Sequence, residues 1–262
     1  MQLYVEESGK VGAPSIVFLH GVGTSSWMWW RQVSMLPDFH CLNVDLPGHG
    51  ESVHVKWISL ADTAHQIAKL IESRATNGRA HIVGLSLGAY IGLLLIEHHA
   101  NLLDSAILSG VTSSPIPNRF LLGPQLWLIS VSKRSRKSLE KQAKYLHLAS
   151  DEQVAFVENF MKMSMMTYRT IYKEVVKFKV SSALEEANVP TLICAGGMES
   201  KVILQAVHML PEILPDAKGC IAPGLDHGWN LEAPDLFNAM VRAWINQESL
   251  PSEIKMVRDI YE

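Results

Sequence analysis

Cysteine is scarce in this chain: Cys41, Cys194 and Cys220 are the only three thiols in 262 residues, and they lack the C-x-x-C or paired spacing of a metal or redox site. Each falls inside an apolar strand-like run, away from a helix start that would stabilise a thiolate, so all three read as buried, reduced thiols. An excess of one charge is missing too. Lys and Arg number 23 against 26 Asp and Glu, a net charge of −3, which gives no reason to expect a nucleic-acid partner. No window reaches the roughly 18 apolar residues of a membrane span. The first residues, Met-Gln-Leu-Tyr-Val-Glu-Glu, lack the charged and then apolar order of a signal peptide, so the default expectation is a cytoplasmic protein. Repeats and low-complexity tracts are also absent. What is present is 48% hydrophobic, enough for a large core in one domain or in a domain with an insertion.

Apolar runs at 15–20, 40–44, 81–83, 105–108, 191–195 and 218–222, with 3–5 ahead of them, read as strands. Most lack polar alternation. Continuous apolar strands separated by helical stretches predict a mostly parallel sheet covered on both faces, an α/β fold. Ser59 and Asp62 form a capping-box-like start to a helix carrying Ile67, Leu70 and Ile71. A last helix over 231–246 places Leu236, Phe237, Met240, Val241 and Trp244 on one face. Between 109 and 190 the alternation stops, and helical stretches follow a Pro-rich entry, which predicts an inserted helical lid. Its apolar residues, Trp127 and Met161 among them, are candidates to line a pocket or to pack the lid's own core. The basic run at 133–137 reads as a solvated helix face.

One serine stands between an apolar strand-like run and an apolar helical run. Gly84-Leu85-Ser86-Leu87-Gly88 is G-x-S-x-G, the pattern of a nucleophile on a sharp strand-to-helix turn. Glycines two residues to either side fit a backbone so strained and so close to its neighbours that only hydrogen can be accommodated. A serine hydroxyl needs a base, and histidine has the suitable pKa. Of the eleven histidines, His227 lies in a Gly/Pro loop after the last apolar strand, where open parallel sheets place their sites. The acid that would orient its ring should come from another strand end. Glu199, after 191–195 and two glycines, fits best. Asp226 is the rival, but adjacent side chains diverge, so it reads as a loop-ordering residue. The charge that develops on a substrate carbonyl needs two N–H donors. The His20-Gly21-Val22-Gly23 loop supplies Val22, to be paired with Leu87 at the start of the helix after Ser86. His20 itself reads as a loop stabiliser, and Trp27, Trp29 and Trp30 as packing residues.

With these motifs, together with Asp45-Leu-Pro-Gly-His-Gly-Glu-Ser52 and Asp226-His-Gly-Trp-Asn-Leu-Glu-Ala-Pro234, the chain resembles the α/β-hydrolase superfamily, of the small lidded kind that includes carboxylesterases, enol-lactonases and C-C bond hydrolases. The resemblance covers nearly the whole chain. It implies an eight-stranded, mostly parallel sheet formed by 1–110 and 189–262, with the lid, 111–188, inserted after the sixth strand. It carries the nucleophile to Ser86, the base to His227 and the oxyanion donors to Val22 and Leu87, and it makes 45–52 a structural turn. Gly21, Trp127, Met161 and Trp229 are the candidate substrate-binding residues. The acid position is usually Asp in this family, whereas this chain has Glu199. The implied activity is hydrolysis of a small ester, lactone or similar acyl compound, with neither cofactor nor metal. C-C bond cleavage on a diketone-like substrate, or a small-molecule receptor built on a hydrolase pocket, are the alternatives.

Overall fold

The computed structural model describes residues 2–116, 135–146 and 148–257. Eight strands form one sheet in the order β1-β3-β2-β4-β5-β6-β7-β8: β1 (Val5–Gly9), β2 (Ser15–Leu19), β3 (His40–Val44), β4 (Ala80–Leu85), β5 (Leu103–Ser109), β6 (Thr191–Gly196), β7 (Ala217–Ala222) and β8 (Lys255–Met256). The six inner strands run parallel, while β1 and β8 close the two edges antiparallel. Side-chain alternation sends Ile16 and Phe18 of β2 to one face and Val17 and Leu19 to the other, and all four are buried. This two-sided burial is why the strands read as continuous apolar runs.

Helices cover both faces. One face carries α2 (Leu60–Arg74), α3 (Leu87–His99) and α7 (Lys201–Ile213); the other carries a 3-10 turn, Ser26–Trp29, with α1 (Trp30–Ser34) and α9 (Pro234–Ile245). The Ser59 hydroxyl caps α2 by accepting from Asp62 N–H at 3.0 Å, as its sequence predicts. The last predicted helix is broken: α8 (Trp229–Glu232) ends at Ala233 and α9 begins at Pro234, because proline has no N–H to continue the ladder and fits the first helical position. Between β5 and β6 lie α4 (Arg136–Tyr145), α5 (Ser150–Lys162) and α6 (Met165–Val175).

Two expectations need correction. Among the described residues five strands precede the helical insertion, not six. The chain enters the sheet directly through β1, which starts at Val5 rather than Leu3, and the eighth strand is made up at the far edge by Lys255–Met256, a pairing too short to leave a sequence pattern. All three cysteines are buried and free. No helix among the described residues is long and apolar enough to cross a membrane.

The fold places α3 hard against β2. A Cβ at Gly88 would stand 2.0 Å from Leu19 O, and one at Gly84 would stand 2.6 Å from Gly88 C. Helix propensity alone favours Ala over Gly by up to about 1 kcal/mol; here steric overlap reverses the sign. Gly88→Ala is expected to destabilise the protein by roughly 3 kcal/mol or more, read from chemical denaturation midpoints. A variant as stable as the parent would show that α3 can move off the sheet.

Candidate active site

The turn between β4 and α3 holds Ser86 at φ 54°, ψ −113°. A side chain at positive φ is uncommon and costs on the order of 1–3 kcal/mol. Local hydrogen bonds hold it there: Ser86 N–H donates to Ser109 O at 2.8 Å, and Ser86 O accepts from Ala89 N–H and Tyr90 N–H at 2.9 and 3.1 Å. The side chain is half-buried, with its hydroxyl outside any hydrogen bond among the described residues. Leu87 is the first residue of α3, so its N–H has no partner within the helix.

His227 lies in the loop between β7 and α8, and its Nδ1 is 2.8 and 2.9 Å from the two carboxylate oxygens of Glu199. The Glu199 side chain is 3% exposed and that of His227 is 42% exposed, so the carboxylate is enclosed and the outer edge of the ring is open. Burial pulls the imidazole pKa down, but the hydrogen bond and charge of Glu199, with a smaller contribution from Asp226, outweigh it and leave the pKa above its ordinary value. Asp226 makes no bond to the ring. Its carboxylate accepts from the backbone N–H of His227 at 2.8 Å, and its own N–H donates to Glu232.

Glycines let these two loops meet. A Cβ at Gly196 would fall 2.4 Å from both Asp226 O and Leu225 O, and Met198 N–H donates to Leu225 O at 2.9 Å. Gly110, at φ 68°, ends β5 beside the pair; a Cβ there would lie 2.7 Å from His227 Cε1 and 3.1 Å from Glu199 Oε1. Its neighbour Ser109 is the acceptor of Ser86 N–H, so a single strand end abuts both the serine turn and the His–Glu pair. Nothing in the G-x-S-x-G or histidine motifs points to Gly110. Its signal is a glycine directly after an apolar strand.

The loop at 20–24 lies against the serine turn. His20 O accepts from Gly88 N–H at 3.1 Å, and a Cβ at Gly21 would be 3.6 Å from Ser86 Cβ. The Gly21 carbonyl accepts from the Thr24 hydroxyl at 2.7 Å and from His20 Nδ1 at 2.8 Å. A peptide is planar with its N–H opposite its C=O, so fixing Gly21 O also fixes the direction of Val22 N–H, which donates to no partner among the described residues. His20 Nε2 accepts from Leu46 N–H at 3.0 Å. Burial lowers its pKa to about 4, so the ring is a neutral, single-tautomer strut, as a loop stabiliser should be. Asp45, also buried, accepts from Ser26 N–H and Glu51 N–H, each at 2.7 Å, which makes 45–52 the scaffold under this loop.

Two candidate contact residues have contrasting settings. Trp229 is fully buried, stacks edge-on to Phe237 with ring centres 4.6 Å apart, and donates Nε1–H to Ser109 Oγ at 3.0 Å. It braces the His227 loop against β5 and lines no cavity. Met161 is 44% exposed. It shares the exposed stripe of α5 with Asp151, Val154, Glu158 and Lys162, and its neighbour Phe160 turns inward, reaching within 2.8 Å of a Cβ placed on Gly23. Trp127 lies outside the described residues. Trp27 and Trp29 are buried in the core, as packing residues should be, whereas Trp30 is 37% exposed and donates Nε1–H to Glu6. Among the described residues no group of three or more His, Cys, Asp and Glu is placed to hold a metal ion.

Comparison with known proteins gives consistent matches. Residues 16–240 match the model of the alpha/beta hydrolase family. An AB hydrolase superfamily protein of Gibberella zeae is 26% identical over 260 residues, 96% of this chain and 86% of that one. A pimeloyl-[acyl-carrier protein] methyl ester esterase of Vibrio atlanticus is 29% identical over 215 residues, 80% of this chain and 75% of its own length. Among solved structures, the enol-lactonase from Burkholderia xenovorans superposes with a TM-score of 0.75 at 20% identity, covering 93% of this chain and 96% of that one. With its model matched over residues 16–240, most of the sequence, the chain belongs to the alpha/beta hydrolase family.

Proposed function

We propose that this protein is a serine hydrolase that cleaves a carboxylic ester, lactone or similar small acyl substrate through an acyl-enzyme on Ser86. The observation that carries the reading is the His227–Glu199 pair, 2.8 Å from nitrogen to oxygen, at a strand end whose preceding residue, Ser109, also bonds the serine turn. In this reading the Ser86 hydroxyl attacks the substrate carbonyl and His227 Nε2 takes the proton. Val22 and Leu87 N–H receive the oxyanion, and His227 returns the proton to the leaving group. Glu199 accepts from Nδ1–H and keeps Nε2 basic. The longer glutamate reaches the ring because Gly110 leaves space for its carboxylate. The reaction needs no cofactor. In this reading the insertion between β5 and β6 is the lid of the site, and the ester chemistry named for the Vibrio relative supports this class of substrate.

Initial rates on p-nitrophenyl esters from acetate to laurate should show turnover that falls by several orders of magnitude, about 10⁴-fold or more, in Ser86→Ala. Equal rates in the two proteins would sink the assignment. No turnover in either, with cleavage of a vinylogous diketone by the parent, would favour C-C hydrolysis.

The rate should also follow His227. Because its folded pKa is raised, the neutral base is lost as pH falls through a value above the ordinary 6.5 or so, and kcat/KM should decline on that acid limb. Glu199→Gln removes the charge that raises the pKa. It should move the limb to lower pH and lower kcat by up to about 10⁴-fold, the cost of losing the correct tautomer. A limb at the same pH in both proteins would break the pairing.

A further inference from the structure

The donor assigned to Val22 sits between two glycines, whose backbones have no steric preference strong enough to hold it. Hydrogen bonds must therefore set its direction. The carbonyl on one side, Gly21, is held from within the loop by Thr24 and His20. Two peptide units beyond the Val22 N–H, the turn is held from far away in sequence: Asn159 Nδ2 donates to Gly23 O at 2.5 Å. The same carboxamide accepts from Gly50 N–H at 2.9 Å through Oδ1, and the residue is only 4% exposed. Gly23 has φ 81°, and Phe160, next to Asn159 on α5, fills the space over its Cα.

We propose that Asn159 is a positioning residue of the oxyanion hole: from the helical insertion, its buried carboxamide locks Gly23 to Gly50 and thereby fixes the Val22 N–H. The inference rests on the serine-hydrolase reading of this site. A carboxamide is suited to the task because it donates and accepts at once. An ionised carboxylate keeps the acceptor for Gly50 and sets a negative charge against the Gly23 carbonyl; an aliphatic side chain leaves both buried backbone groups unpaired. The insertion is then part of the catalytic scaffold as well as a cover.

The test uses the full chain carrying Asn159→Asp and Asn159→Leu, with Lys162→Met as the comparison. Lys162 makes the neighbouring contact of α5, a 2.8 Å ion pair to the exposed Glu51 side chain, and forms no hydrogen bond to Gly23, Gly50 or the 20–24 loop. Removal of one oxyanion donor costs about 10²–10³-fold in kcat; misdirecting one should cost about 10–100-fold. Both Asn159 variants are therefore expected to lose kcat on p-nitrophenyl esters in that range with KM within about twofold. They should bind phenylboronic acid, which forms a tetrahedral adduct on the serine, more weakly by a similar factor, and show faster amide hydrogen exchange over residues 20–25. Lys162→Met should match the parent in all three. If Asn159→Leu fails to fold, Asn159→Asp, which keeps the Gly50 bond, decides. Parent-like kcat and boronate affinity in the folded variants, a change in KM alone, or an equal loss in Lys162→Met would overturn the proposal. If the parent neither turns over esters nor binds the boronate, the hydrolase reading fails on its own account. The exchange rates then decide the clamp, and unchanged exchange over 20–25 in Asn159→Asp overturns it.

Discussion

One backbone conformation organises the C-terminal end of the parallel strands, where the candidate site lies: Ser86 at φ 54°. It can exist only because the residues two before and two after carry no side chain. A Cβ at Gly84 would meet the Gly88 backbone, and one at Gly88 would meet Leu19 O. The strain is local and its compensation is distributed. Backbone bonds to Ser109, Ala89 and Tyr90 hold the turn, and behind it α3 is apolar nearly all round, with Leu87, Ile91, Leu93, Leu95 and Ile96 buried. A helix so firmly embedded cannot relax to let the turn unwind. Packing far from the hydroxyl therefore sustains the geometry that exposes it.

Two histidines at this end show how environment divides one side chain between two kinds of work. His20 is enclosed, with both ring nitrogens committed to backbone partners, Gly21 O and Leu46 N–H. Protonation would destroy the second bond and place a charge in the core, so its pKa falls to about 4 and it serves as a fixed donor. His227 is also desolvated on one side, but a carboxylate faces its Nδ1 and its outer edge is open. Its pKa rises instead. A ring with a charged partner and one free nitrogen can cycle a proton; a ring with two neutral partners can only hold position.

The sequence disclosed what short-range physics dictates. The inner strands were legible because both faces of the sheet are buried, which turns each strand into an unbroken apolar run. The candidates Ser86, His227 and Glu199 stood out because each sits in a glycine-rich strand end, and the pairing of His227 with Glu199 follows from two such ends meeting. Residues whose setting the sequence leaves open depend on phase or on long-range partners. Met161 and Phe160 are adjacent, apolar and helical; which of them faces inward is set by how α5 docks on Gly23. Trp229 shares a motif with His227, the proposed base, and its indole N–H finds Ser109 from a distance of 120 residues, a bracing contact. Asn159 reads as an ordinary polar helix position until Gly23 and Gly50 come to it. Gly110 has no motif at all, only the space it leaves.

The insertion is attached in a way that argues against treating its described helices as a freely swinging cover. Glu152, buried in α5, receives both Nε and Nη2 of Arg31 at 2.6 Å. Glu174, on α6, accepts from Trp57 Nε1–H and from Leu60 N–H at the start of α2, at 3.2 and 2.8 Å. Asn159 lies between these anchors. Moving α5 separates the buried Glu152 carboxylate from its guanidinium, and moving α6 takes the acceptor from the Leu60 N–H, so opening at either anchor costs charge-assisted hydrogen bonds. Arg31 also donates to Leu231 O at 2.9 Å, in the short helix directly after His227. The guanidinium that ties down α5 thus braces the loop carrying the proposed base, His227, and Asn159 ties the same helix to the loop carrying the proposed oxyanion donor, Val22. A displacement of α5 would disturb both sides of the site at once, and for that reason the roof and the proposed catalytic groups behave as one mechanical unit.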